Sequence, residues 1–241
     1  MEFVLTIAKK EIRSFFDSLI AYILLTAFLG ISGFFTWVYG SDIFLINQAT
    51  LLPFFNVALW TIFFFTPALT MKMFAEEKRT GTLEFLLTKP GEDIQVIAGK
   101  FLAVTGLTAI SLLLTIPYYI TVSTLGPLDH GATISGYIGL LLLSGALTGI
   151  GLLASSLTNN QIVAYLAAIF TGLFFMIITG VISQNTTGSL SVIFNFLNLQ
   201  FHYDAVSRGV IDSRNIIFFV SLTVVSLYLT SLNLSSRFIK S

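Results

Sequence analysis

The sequence predicts an all-α integral membrane protein with six spans. Composition is the first observation behind this: 55% of the 241 residues are hydrophobic and 10% charged, against about 25% charged in soluble domains. The second is a set of six apolar windows, each near the roughly 20 residues a helix needs to cross a hydrocarbon core about 30 Å thick. The third is the 24 Phe, a load that suits lipid contact better than a small soluble core. Six buried helices of a soluble protein would need polar outer helices around them, and the sequence has no residues left to build those.

The chain opens on Glu2–Leu19. Here Val4, Ala8, Ile12, Phe15, Phe16 and Leu19 recur at helical spacing, with Lys9, Lys10, Arg13 and Asp17 on the other side. That pattern predicts an amphipathic helix lying along the membrane surface. The apolar run after it is too long for the core of a cleaved signal peptide, so it reads as a retained first span. The six spans are Ser18–Tyr39, Leu51–Met71, Phe101–Val122, Ile134–Ala154, Ile162–Ile182 and Ile216–Leu234, none with Lys, Arg, Asp or Glu before its last residues. Pro67 and Pro117 should kink theirs. In the fourth, Gly136, Gly139, Gly145, Gly149 and Gly151 make a small-residue track. Its Gly145–Gly149 spacing permits close helix contact, within the chain or between subunits. Between the last two spans, Leu190–Phe201 is apolar but 12 residues long, too short to cross; it suits a re-entrant hairpin on the outer side. No linker or repeat divides the chain, so residues 1–241 read as one membrane domain.

Charge sets the orientation. Of the 12 Lys and Arg, Arg208 and Arg214 flank one side; Lys9, Lys10, Arg13, Lys72, Lys78, Arg79, Lys89, Lys100, Arg237 and Lys240 flank the other. The positive-inside rule places both termini and the loop after the second span in the cytoplasm. His202, Asp204 and Arg208, past the hairpin, then fall at the outer mouth.

Several chemistries are excluded. The chain has no Cys and 2 His, so thiolate or His-rich metal sites and Cys nucleophiles are absent, and no metal site is expected. A net charge of zero gives no field for nucleic acid. Gly30-Ile31-Ser32-Gly33 matches the nucleophile motif of rhomboid-type proteases, but no His lies in any span to serve Ser32 as base. No catalytic residue is assigned. The spans hold neutral Asn, Ser and Thr rather than carboxylates, which argues against an ion-coupled carrier and for energy arriving from outside the membrane domain. Phe54, Phe63–Phe65 and Phe174–Phe175, on the second and fifth spans, suit lipid contact.

The segment after the second span carries the most pattern. A charged turn with Glu76 and Glu77 leads through Gly81 into a short helix from about Thr82, where Leu83, Leu86 and Leu87 form an i, i+3, i+4 stripe beside Glu84. Pro90 and Gly91 stop it. Such a stripe suits a peg for a partner's groove, or a helix folded back on lipid or other helices. Glu77, Gly81-Thr82-Leu83-Glu84, Leu86-Leu87, Pro90 and Gly99-Lys100 together resemble the cytoplasmic signature of ABC type-2 exporter permeases. The surface helix, six spans and hairpin extend the likeness over essentially the whole chain. The stretches Asn195-Phe196, Phe201-His202-Tyr203-Asp204 and Ser207–Asp212 resemble the gliding-motility (Gld-type) permeases of Bacteroidetes.

The resemblance implies a multi-pass subunit of the bacterial inner membrane, working as a homodimer with a separate ABC ATPase. It also implies an auxiliary membrane protein with a large periplasmic domain, and a pathway lining for the Phe of the second and fifth spans. This chain lacks Gly-x-x-x-x-Gly-Lys-Ser/Thr, since Gly99-Lys100 runs into Phe101. ATP and magnesium therefore belong to the partner, and no cofactor to this chain. Glu76, Glu77, Gly81, Thr82, Leu83, Glu84, Leu86, Leu87 and Pro90 would be the ATPase-coupling residues. A drug, lipid or polysaccharide exporter of the same superfamily, and a force-transducing or scaffold component that moves no solute, are the alternative functions.

Overall fold

A computed structural model describes residues 2–38, 48–82, 93–210 and 212–235. Among the described residues the regular structure is all helix. The elements are α1 (Glu2–Asp17), α2 (Leu19–Trp37), α3 (Leu52–Thr70), α4 (Lys72–Arg79), α5 (Asp93–Leu113), α6 (Ile116–Leu125) and α7 (His130–Leu157). They continue with α8 (Gln161–Leu173), a π turn (Phe174–Ile178), α9 (Thr179–Asn185), α10 (Ser189–Phe196), α11 (Leu199–Ser207) and α12 (Ser213–Ser235). Six stretches are long and apolar enough to cross a membrane: Leu19–Trp37, Leu52–Arg79, Asp93–Leu125, His130–Leu157, Gln161–Asn185 and Ser213–Ser235. Each contains most of an expected window. The chain is an all-α integral membrane protein.

The charged run after the second span departs from expectation. Lys72–Arg79 is helix α4 rather than a turn, because charge marks where the chain meets water and does not by itself end a helix. The third span likewise begins at Asp93, not Phe101. Asp93–Leu125 covers 33 residues, about 50 Å of helix at 1.5 Å per residue, longer than the hydrocarbon core. Its first turns therefore project from the same end of the bundle as α4. Pro117 lies in the first turn of α6, where the third span breaks. Pro67 breaks nothing by itself; α3 runs through it and the interruption falls at Met71.

α7 is the hub, packing on α3, α5, α8, α11 and α12. Its glycines admit the neighbours. Gly136 lies under the Phe55 ring, Gly139 under Tyr203 and Val206, and Gly149 against Thr223 and Ser226 of α12. The Gly145–Gly149 spacing thus serves the last span of the same chain. The closest approach is at Gly151, where a methyl group would lie 2.8 Å from Thr70 Cβ and closer still to its hydroxyl. Thr70 is fully buried and its hydroxyl donates to the Thr66 and Pro67 carbonyls, so it has no easy way to yield. Gly151→Ala should cost about 1–3 kcal/mol by overpacking, read as a lower unfolding midpoint, while Ala substituted at open Gly30 should be neutral.

The Phe divide between core and surface, so neither a pathway nor lipid takes them as a set. Phe54, Phe63 and Phe65 are core, while Phe64 and Phe174 point outward. Phe54 meets Tyr118 and Tyr137 at 5.7 Å, and Phe55 meets Tyr137 edge-on at 5.4 Å. The two tyrosine hydroxyls donate to the Leu29 and Thr115 carbonyls. Ser32 is fully buried and its hydroxyl donates to the Leu29 carbonyl, so the Gly-x-Ser-Gly motif is packing.

α1 is a separate helix, cut from α2 by extended backbone at Ser18. It lies alongside the projecting turns of α5, with Ile7 over Gly99 and Ile12 near Gly106. Its covered stripe is Ile7, Ala8, Glu11, Ile12 and Phe15, with Glu11 only 12% exposed. Leu19, expected on that stripe, starts α2 and is 75% exposed.

Candidate functional site

The site grows from one buried cation. Lys100, in the third turn of α5, is 1% exposed at the end of the bundle where α1 and α4 meet. An ammonium has three donors, and all three are used. They go to Glu77 Oε1 of α4 at 2.7 Å, the Met73 carbonyl of α4 at 2.8 Å and Glu11 Oε1 of α1 at 3.2 Å. The Phe74 ring lies under the same ammonium at 5.1 Å. Lys72 sits over Phe15 of α1 at 4.5 Å. One lysine thus clamps the N-terminal helix, the end of the second span and the start of the third.

α4 is held from the other side by α7. The hydroxyl of Ser155 accepts from the Phe74 and Ala75 N–H groups at 3.0 and 3.1 Å and donates to the Met71 carbonyl at 3.0 Å. The first N–H groups of a helix have no partner of their own, and Met71 at the N-cap has no polar side chain to offer. Ser155 supplies the cap from a neighbouring helix. Ser156 extends the tie: its carbonyl accepts from the Lys78 ammonium and from Asn233 Nδ2 of α12 at 2.7 Å.

Among the expected coupling residues, Glu77 is the one the structure builds into this cluster. Glu76 is partly exposed, and its carbonyl accepts from Thr80. Gly81 has φ +71, a conformation glycine adopts freely, and it terminates α4 in the open. Thr82 is exposed, its hydroxyl 2.9 Å from that of Thr80. Leu83, Glu84, Leu86, Leu87 and Pro90 lie outside the described residues. Glu11 and Lys100 are what the sequence reading missed. Glu11 follows Ala8 by three and precedes Phe15 by four, so the covered stripe itself could have revealed it.

At the opposite end, the hairpin folds back along the fifth span. Ser183 and Ser191 exchange hydroxyl–carbonyl hydrogen bonds at 3.0 and 2.8 Å. Asn198, at the turn between α10 and α11, donates to the Met176 carbonyl inside the π turn at 3.3 Å. The turn therefore lies beside Met176, nine residues or about 14 Å back from the end of α9 at Asn185. The expected re-entrant hairpin is present, as two short helices.

His202, expected at the outer mouth, is packed between the hairpin and α12. It is 2% exposed, with Nδ1 2.7 Å from Asn215 Oδ1, Nε2 2.7 Å from the Phe196 carbonyl, and its ring stacked 4.2 Å from that of Phe218. An imidazole has two polar atoms to satisfy and an apolar face to cover, and here the hairpin and α12 supply both. Asp204 of α11 is partly buried and Arg208, at the C-cap, is exposed; burial pushes the Asp204 carboxyl above its usual range, and the guanidinium one turn on offsets part of that without an ion pair.

The family model described as ABC-2 family transporter protein matches residues 46–232. The chain belongs to the ABC-2 transporter family. The match runs from shortly before α3 almost to the end of α12, and so takes in five of the six spans, the clamp residues Glu77 and Lys100, and the whole hairpin. No curated protein matches the sequence. As an ABC-2 permease domain, the chain is a multi-pass transmembrane subunit that partners an ABC ATPase, rather than the ATPase itself.

Proposed function

We propose that this protein is the permease subunit of an ATP-driven exporter, working as a homodimer with two ATPase subunits in a bacterial inner membrane. The ten-to-two distribution of Lys and Arg supports the orientation, with the clamp end and both termini in the cytoplasm. The Gld-type resemblance supports a gliding-motility complex with an auxiliary periplasmic-domain protein. The observation that carries the reading is the clamp on α4. α4 leads directly into Gly81-Thr82-Leu83-Glu84, and Lys100 and Ser155 tie it to α1, α5 and α7. A push on the leucine stripe by a closing ATPase dimer would reach three spans at once. A loose loop would absorb the same push.

The test is Leu86→Asp. A carboxylate placed in an apolar contact costs several kcal/mol if unpaired, so the ATPase should fail to co-purify, or should hydrolyse ATP without export, while the permease inserts normally. Unchanged co-purification with unchanged ATP turnover would remove this segment from the interface. Reconstituted ATPase activity without solute flux would instead mark a force transducer.

A further inference from the structure

Between the fifth span and the hairpin lies a crevice of about 340 Å³, lined among others by Gln184, Asn195, Asn198, Gln200, Phe201 and Asp204. Asn198 is spent on the Met176 carbonyl and the Phe201 N–H. Gln184, Asn195, Gln200 and the Asp204 carboxylate have no hydrogen-bond partner among the described residues. Asn195 and Gln200 flank the turn, about 14 Å from the end of α9 by helical rise. Wherever lipid meets that turn it offers amides nothing, and bare polar groups facing hydrocarbon are strongly disfavoured. Water, a solute or another protein surface must therefore reach them.

We propose that this crevice is a water-filled binding site for a neutral, hydroxyl-rich group of the kind a sugar ring presents. Primary amides both donate and accept, as hydroxyls do, and the Asp204 carboxylate is a strong acceptor. Phe201, half exposed, offers an apolar wall to the C–H face of a ring. The lining holds no Lys, Arg or His, so a phosphate or other anion finds no counter-charge. The volume falls at the small end of ligand sites, which fits a sugar unit rather than a whole lipid. This rests on the transport reading only in giving the crevice to a solute rather than to a second copy of the chain.

The chain has no Cys, so single-cysteine reporters are clean. Ile177→Cys and Val181→Cys line the crevice without touching its polar groups; Val192→Cys, exposed on α10 but outside the lining, is the control. The full chain in phosphatidylcholine vesicles is treated with a charged, membrane-impermeant thiol reagent on either side. Both crevice cysteines should react from one side, at least tenfold faster than Val192→Cys. A millimolar mixture of glucose, galactose, mannose and N-acetylglucosamine should slow them at least threefold. Inorganic phosphate should not, and Asp204→Asn should abolish the protection. Unreactive crevice cysteines, Ile177→Cys cross-linking between two copies, or labelling that the sugars leave unchanged would each overturn the proposal. No ATPase is present, so a failure here is independent of the coupling test on Leu86.

Discussion

Lys100→Met should be the most damaging single change in the described structure, at about 3–5 kcal/mol. That is the range for removing one member of a buried charge group so that the others stay behind uncompensated. Methionine nearly matches the length of the lysine stem, so packing is little disturbed and the loss is electrostatic. Glu77 and Glu11 would then share a poorly hydrated pocket, with Lys10, exposed and 3.8 Å from Glu11, as the ion-pair partner left to them. The Met73 carbonyl would lose its 2.8 Å donor as well. Partial separation of α1 from α5 should follow, since Glu11 is the α1 side chain that bonds Lys100, while Ile7 over Gly99 and Ile12 near Gly106 still hold the two helices together. Chemical unfolding of the purified protein measures the cost, and protease sensitivity near Ser18 measures the separation. The triple change Glu11→Gln, Glu77→Gln, Lys100→Met should recover a good part of the loss. If Lys100→Met unfolds within 1 kcal/mol of the parent protein, the clamp is not a stability element.

The spans were legible because hydropathy in a bilayer is set by length and composition alone. Ile134–Ala154 and Ile162–Ile182 fall inside their observed helices for that reason. The clamp was not legible, because its three charges are far apart in sequence and each had a bland local reading. Glu11 stands among Lys9, Lys10 and Arg13, where a charge suggests the wet face. Lys100 read as a flanking charge and as half of the Gly99-Lys100 pair. Only the docking of α1 onto Gly99, where Ile7 leaves no room for a Cβ, brings Glu11 to Lys100. His202 was misplaced for a similar reason. Its place just past the hairpin suggested an exit, whereas its partners are a backbone carbonyl six residues back and Asn215 on the next span.

Ser155→Ala should cost about 2–4 kcal/mol, because the hydroxyl serves two donors and one acceptor at once. Phe74 and Ala75 are fully buried, so water cannot replace the lost partner. Each orphaned buried N–H costs about 1–3 kcal/mol, and relaxation recovers part of it. Alanine keeps the β-carbon and removes only the hydroxyl, which isolates the hydrogen bonds as the main cause. Two changes should accompany the loss. Amide hydrogen exchange at Phe74 and Ala75 should quicken more than at Thr61, which lies in the same span away from the break. The first turn of α4, released from α7, should also reorient Glu77 one turn further on, so Ser155→Ala and Lys100→Met should be non-additive. Additive costs would mean that the cap and the clamp hold α4 independently. A coupling above about 0.5 kcal/mol would mean that they hold it as one unit. A neutral Ser155→Ala, with exchange at Phe74 and Ala75 unchanged, would mean that the Met71 break closes into continuous helix without its cap.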